Sequence, residues 1–327
     1  MNKMTSAGLT FGIYPLGVAG TPTGLAVGPE DDYGKIIEAL HQLRGDGKTL
    51  IPRNYLVYTR SDAEAGLFSF ADRLLHSGLL GDLVIGWIQT ADIVLDKWLA
   101  FIRKIVRKYG PYLSSLQITN EPNLTFMEGS KSYTRQALVE GVIAAKREAR
   151  KCGYPMKIGF GSVPESPASV PHFWEGFAEL KDKTFVNSVD FVGHNFYVDV
   201  FEEPLALPEI TASVERVLRN LRKNLAAAGI PDSVPIRVTE NGWPTGENPF
   251  TRTERTYDQQ AVVLETVIRT VYRLREEFHI THYELFGLRD ADSSKPDLFH
   301  QFGIMRDDYS PKLAFSVVKQ LIQELGN

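Results

Sequence analysis

The feature that most narrows the fold is an alternation that runs the length of the chain. Short runs rich in apolar and β-branched residues occupy positions 9–17, 49–58, 82–89, 116–120, 156–161, 189–198, 236–240 and 282–288. Between them lie longer stretches, 31–43, 64–75, 91–109, 132–152, 170–180, 211–228, 257–278 and 311–325, whose apolar residues recur three and four apart. Ile36, Ile37, Leu40 and Leu43 show this spacing, as do Trp98, Phe101, Ile102, Ile105 and Val106. The first period is that of strands and the second that of helices. Gly153 and Gly229 stand just past the ends of two of the helical stretches, where a left-handed residue closes a helix. Eight strand–helix pairs at intervals of roughly 35 residues predict an α/β chain folded as a (β/α)8 TIM barrel. No shift of composition marks a linker, so residues 1–327 are read as one domain. A doubly wound open sheet would carry a glycine-rich phosphate turn after its first strand. Gly17, Gly20, Gly24 and Gly28 do not have that spacing.

Composition excludes several classes of function. The formal net charge is -4 and no basic run stands out, so no nucleic-acid partner is expected. No apolar run approaches the ~20 residues of a membrane span, so no membrane partner is expected either. The first nine residues show no apolar export segment, and the chain is read as cytoplasmic, a reading that a trimmed export signal would change. Cys152 is the sole cysteine, which leaves no internal disulfide; it is expected to be a small core residue near a helix end. The histidines lack the HxH and HExxH spacings, so neither a metal nor any other cofactor is expected. Gly47-Lys48-Thr49 lacks the earlier glycine of a phosphate loop, since Gln42 stands there, and it precedes a strand rather than a helix. Asn123-Leu124-Thr125 fits a glycosylation triplet by pattern alone. No feature of the sequence specifies an oligomer.

Two strands end in a carboxylate. Leu116-Gln117-Ile118-Thr119-Asn120 runs into Glu121 and is stopped by Pro122; Ile236-Arg237-Val238-Thr239 runs into Glu240 and then Asn241-Gly242-Trp243. In a barrel the C-terminal strand ends and the loops after them build the active site. The fourth and seventh strands lie across a barrel from each other, so the two carboxylates are expected to converge. Two converging carboxylates are what glycoside cleavage requires: an acid to protonate the departing oxygen, and a nucleophile or base on the other face of the sugar.

These residues carry a family resemblance. Ile118-Thr119-Asn120-Glu121-Pro122 resembles the Asn-Glu-Pro signature on the fourth strand of clan A glycoside hydrolases. Val238-Thr239-Glu240-Asn241-Gly242 resembles the Thr-Glu-Asn-Gly signature on the seventh strand of the β-glucosidase-type members. The run Asp190-Phe191-Val192-Gly193-His194-Asn195-Phe196-Tyr197 is similar to their sixth strand, with Asn195 and Tyr197 pointing inward. Residues 283–290 and Gln301-Phe302-Gly303-Ile304 resemble the eighth strand and its loop. The resemblance implies a retaining β-glycosidase in which Glu240 is the nucleophile and Glu121 the general acid and then base. It gives Asn120 the sugar 2-hydroxyl, Tyr197 the orientation of Glu240, and Arg53 a place beside the nucleophile that keeps it ionised. Such a division of labour suits the physics, because a neighbouring cation lowers a carboxyl pKa and burial raises it.

The sugar-reading positions of the β-glucosidases are not matched. Their first-strand Gln is absent from Phe11-Gly12-Ile13-Tyr14, their third-strand His from residues 84–89, and Phe286 replaces the common Trp of the eighth strand. The chain therefore reads as a compact member outside that family. Its substrate is expected to be a carbohydrate held against aromatic rings, with Trp87, Trp243, Phe286, Tyr14, Phe126 and Phe250 as candidates. Trp243, beside the nucleophile, is the preferred platform. His194 alternates away from Asn195 and is expected to pack behind the site. The alternative function is a catalytically inactive carbohydrate-binding or regulatory barrel. A barrel aldolase would want a strand-end lysine, and none stands at the strand ends assigned above.

Overall fold

The computed structural model describes residues 8–58, 72–73, 78–87, 93–180 and 183–327. Its barrel strands are β1 (Thr10–Tyr14), β2 (Leu50–Tyr58), β3 (Gly81–Trp87), β4 (Leu113–Ile118), β5 (Lys157–Phe160), β6 (Phe191–Asn195), β7 (Ile236–Asn241) and β8 (Ile280–Phe286). They close into an eight-stranded parallel barrel in which each strand neighbours the next in sequence and β8 returns to β1. The register pairs Phe11 with Tyr283 and Tyr14 with Phe286 across β1 and β8, and Arg53 with Asp82 across β2 and β3. This is the (β/α)8 fold that the alternation predicts.

The described helices are α1 (Tyr33–Arg44), α2 (Leu95–Tyr109), α3 (Thr134–Cys152), α4 (Glu175–Ala178), α5 (Leu207–Ala227), α6 (Tyr257–Leu274) and α7 (Leu313–Leu325). Their ends carry the expected stops. Asp32 caps α1 by accepting from the Lys35 N–H, and Thr256 and Gln259 form a reciprocal capping box at the start of α6. Gly153 closes α3 in the left-handed region at φ 72°, a conformation that costs a residue with a Cβ. In α2 the predicted apolar side, Trp98, Phe101, Ile102, Ile105 and Val106, is buried. Each such side chain contributes about 1.5–3 kcal/mol on burial. Cys152 ends α3 in no disulfide and only half-buried, rather than in the core as expected.

Three expectations are corrected or fall elsewhere. The loop after β1 contains a hairpin of Val18–Thr21 and Gly24–Val27 that its glycines and proline hide from a periodicity reading. The helix expected over 170–180 shrinks to α4, because its aromatic residues pack instead: Phe173, Trp174, Phe177 and Phe185 form a ring cluster on Phe160 of β5. The helix expected over 64–75 lies outside the described residues except for Asp72 and Arg73, as do residues 88 and 89 of the third strand.

The chain divides into two compact units, Met1–Leu50 with Tyr197–Arg216 and Glu240–Asn327, and Ile51–Phe196 with Val217–Thr239. The second unit has a polar interior. Arg53 is ion-paired with Asp82, and Asp82 also accepts from Ser115 Oγ. Arg237 Nη1 donates to Ser115 Oγ at 2.7 Å, and its guanidinium lies 3.9 Å from the Phe191 ring centre. All of these groups are buried. Buried charges persist only when paired and hydrogen-bonded, and breaking such a pair costs about 3–5 kcal/mol.

Candidate active site

The site is built from strand ends. In the second unit β4 stops at Ile118, and Thr119 adopts φ 66°, a left-handed conformation rarely taken by a β-branched residue. Strain of this kind costs about 1–3 kcal/mol and persists only where neighbours enforce it. Here the Thr119 N–H donates to Ile85 O at 2.7 Å, and its carbonyl accepts from Gln117 Nε2 at 2.9 Å. Gln117 in turn accepts from Arg53 Nη2 at 3.2 Å. The turn at Thr119 delivers Asn120 and Glu121, both partly exposed.

A residue that sequence reasoning missed holds this turn. The buried carboxylate of Glu128 accepts from the Asn120 N–H at 2.9 Å through one oxygen, and from the Glu121 N–H at 3.1 Å through the other. Gly86 admits it, since a Cβ at that position would overlap Glu128 Oε1. The signal in the sequence is faint: Glu128 opens a single 3₁₀ turn in a loop without periodicity.

Asn195, at the end of β6, joins the group. Its Nδ2 lies 3.2 Å from both Asn120 Oδ1 and Glu121 Oε1, and its Oδ1 accepts from Thr239 Oγ1 at 2.8 Å. Thr239 is the residue before Glu240. His194 points the other way and is buried, as expected. Ser162 Oγ donates to Gly193 O at 2.7 Å, so its contact with His194 Nδ1 at 2.8 Å is one in which the ring N–H donates. Among the described residues His194 Nε2 has no hydrogen-bond partner, and burial pushes the imidazole down to about 3 from its ordinary 6.5.

In the first unit Glu240 is buried near the end of β7. Tyr197 Oη donates to Glu240 Oε2 at 2.8 Å, so the orienting contact implied by the resemblance is present. Tyr14 stacks on Phe286 with ring centres 4.9 Å apart and planes 1° apart. Its hydroxyl is pushed well above the usual tyrosine range, first by burial and then by the negative charges of Asp31 and Glu240. Phe286 also meets Tyr197 edge-on at 6.3 Å and Phe302 at 5.4 Å. Tyr283 Oη donates to Asn241 Oδ1 at 2.6 Å and fixes the residue after Glu240.

Two of the sequence assignments are revised. Arg53, which is not one of them, stands in the first half of β2, and its guanidinium serves Asp82, Gln117 and the Tyr55 hydroxyl (2.8 Å), which makes it part of the interior network that supports the β4 turn. Trp87 is 4% exposed and packs edge-on against Trp98 of α2 at 5.3 Å and on Tyr133 at 6.0 Å. Strand parity turns its ring toward the helices, which removes it from the sugar-binding set. Trp243 is 3% exposed, donates from Nε1 to Asp199 Oδ1 at 2.6 Å and carries Arg255 4.5 Å above its ring. It is an anchor between loops rather than an open platform. Asn123, from the glycosylation triplet, is buried and bonded both ways to Val163, at 2.8 and 2.9 Å. Phe126 and Phe250 are exposed. Among the described residues no three His, Cys, Asp or Glu side chains are grouped to hold a metal ion, and no helix is long and apolar enough to cross a membrane.

No protein-family model matches the sequence, and no curated protein does. Solved structures do resemble the fold. A β-D-glucuronidase of Dictyoglomus thermophilum matches with a TM-score of 0.60 and 14% identity over 98% of this chain and 51% of its own. A family 39 glycoside hydrolase of Bacteroides cellulosilyticus matches with a TM-score of 0.61 and 15% identity over 98% of this chain and 64% of its own. An active-site mutant of the Rhizomucor miehei β-1,3-glucanosyltransferase, in complex with laminaritriose, matches with a TM-score of 0.56 and 13% identity, covering 93% of this chain and 96% of that one. The chain thus spans about half the length of the glucuronidase. The likeness is one of fold, the closed eight-stranded barrel, shared with solved structures of glycoside hydrolases and of a glucanosyltransferase.

Proposed function

We propose that the chain is a glycoside hydrolase that cleaves β-glycosidic bonds with retention, its whole length serving as one catalytic domain. Glu240 attacks the anomeric carbon while Glu121 protonates the departing oxygen, which breaks the glycosidic bond and leaves a glycosyl ester on Glu240. Water then attacks the same carbon, gives its proton to Glu121 and releases Glu240. Asn120 and Asn195 hold the sugar hydroxyls, Tyr197 orients Glu240, and Phe286 with Tyr14 lines the sugar site. No cofactor takes part.

One observation carries this reading. Within two residues, the end of β6 supplies Asn195 to Glu121 and Tyr197 to Glu240. A catalytic pair needs this kind of support, because a carboxylate displaced by ~1 Å loses much of its rate advantage. Two unrelated surface glutamates would have no reason to share it. The names of the structural neighbours, glucuronidases, a family 39 hydrolase and a glucanosyltransferase, favour the same class of chemistry and suggest the glycones to try.

The test is a panel of aryl β-glycosides that includes glucuronides, followed by Glu240→Ala. The variant is expected to lose turnover, and added azide is expected to restore release of the aryl alcohol with formation of the α-glycosyl azide. A Glu240→Ala protein with undiminished activity overturns the assignment.

A further inference from the structure

We propose that Phe201, Phe250 and Phe299 form a binding site for an apolar aryl group, the aglycone of the substrate. The proposal rests on the glycosidase reading above. The three rings come from the loops that follow β6, β7 and β8. Phe201 and Phe299 stack with centres 6.1 Å apart and planes 22° apart. Phe250 meets both edge-on, at 6.3 and 6.2 Å. Phe201 is 44% exposed and Phe250 56% exposed, a large apolar area to leave in water. The cluster is continuous with the catalytic carboxylate, because the Tyr197 ring lies 6.2 Å from Phe201 while its hydroxyl binds Glu240.

The loops are built to hold these rings still. Buried Arg255 donates to Asp199 O and, at 3.2 Å, to Glu202 O, on either side of Phe201. Buried Asn248 donates to Val200 O at 3.2 Å and accepts from the Phe250 N–H at 2.9 Å, so one side chain fixes two of the three loops. Asp297 accepts from the Phe299 N–H at 3.1 Å. Trp243, tied to Asp199 and covered by Arg255, completes the scaffold underneath.

The side chains decide the ligand. A sugar ring stacks on an aromatic face but must also satisfy its hydroxyls, which Phe side chains cannot do. A flat apolar group has no such need, and an offset or edge-on ring finds faces and edges of the right polarity in a stacked pair with a third ring across it. The site therefore selects an aromatic leaving group over a second sugar.

The experiment compares phenyl and 4-biphenylyl β-glycosides of one glycone, whose leaving groups are of similar acidity, together with a disaccharide and free 4-phenylphenol. The wild-type chain is expected to favour the 4-biphenylyl glycoside in kcat/KM, and Phe250→Ser to lower the biphenylyl-to-phenyl ratio by about tenfold, the loss of one ring contact. Phe201→Ser acts in the same direction, and Phe250→Tyr, which keeps the ring, restores the preference. Free 4-phenylphenol, followed by ligand NMR, is expected to bind the wild type and to weaken about tenfold in Phe250→Ser. Turnover with a ratio unchanged by either serine variant overturns the platform and leaves the glycosidase reading standing. A disaccharide preferred over the biphenylyl glycoside, and losing its advantage in Phe250→Ser, overturns the aryl assignment. Absence of turnover across the panel with 4-phenylphenol binding intact removes the glycosidase reading and keeps the aryl site.

Discussion

Glu121 and Glu240 differ in how they are held, and the difference leads to separate predictions. Glu240 is oriented through its own oxygen by Tyr197, so Tyr197→Phe removes one hydrogen bond to a carboxylate. Such a bond is worth about 1.5–3 kcal/mol, and kcat is expected to fall roughly ten- to a hundredfold with the fold intact by circular dichroism. An unchanged kcat would show that the tyrosine does not orient Glu240 for the proposed reaction. Glu121 is placed by its backbone, through Glu128 and the strained Thr119. Glu128→Gln turns an amide donor toward one of the two N–H groups, which costs about 1–3 kcal/mol. The expected result is a lower kcat at nearly constant KM together with a shifted acid-base limb of the pH–rate profile; a shift of the melting temperature alone would make Glu128 merely structural. His194 bears on stability instead. Its folded pKa is lowered, so the folded chain prefers the neutral ring and the unfolded chain takes up the proton first. The contribution is complete above the ordinary value of 6.5 and is lost as pH falls toward about 3. Urea titrations at pH 7 and 4.5 are expected to differ by about 2–3 kcal/mol from this group, and His194→Gln to flatten that difference. Equal slopes in the two proteins would contradict it.

Strand ends and the loops after them decide how much of the site is legible. Asn120, Glu121, Asn195, Tyr197 and Glu240 could be read because each sits in or just beyond an apolar strand, where position along the strand implies location. Glu128, Phe201 and Phe299 could not, since loop residues carry no period and their neighbours come from distant parts of the chain. Trp87 and Trp243 are buried where open rings are expected, for a related reason: nearness to a strand end does not say which face a ring takes. The Asn241-Gly242 pair illustrates a second constraint. A Cβ at Gly242 would overlap the Phe286 carbonyl oxygen, so the turn after Glu240 must have no side chain there. Gly242→Ala is expected to destabilise by about 3 kcal/mol, because backbone on both sides must move. A denaturant midpoint within error of the wild type would show that the turn relaxes freely.

The barrel itself was almost fully readable, because the alternation of two periods over eight units leaves few architectures. Its interior was not. Arg53, Asp82, Ser115, Gln117 and Arg237 replace part of the aliphatic filling usual in such barrels, and a strand sequence does not distinguish an inward arginine from a surface one. That network ends on Gln117 and so on Thr119, which links the interior polar groups to the turn that carries Glu121. The most direct test of the central claim is to trap the first intermediate. A 2-fluoro-2-deoxy β-glycoside with a good leaving group, matched to the preferred glycone, should add one fluoroglycosyl mass to the chain. Peptide mapping should place it on Glu240. A label on Glu121, or turnover that yields the inverted sugar without any labelled chain, would contradict the account.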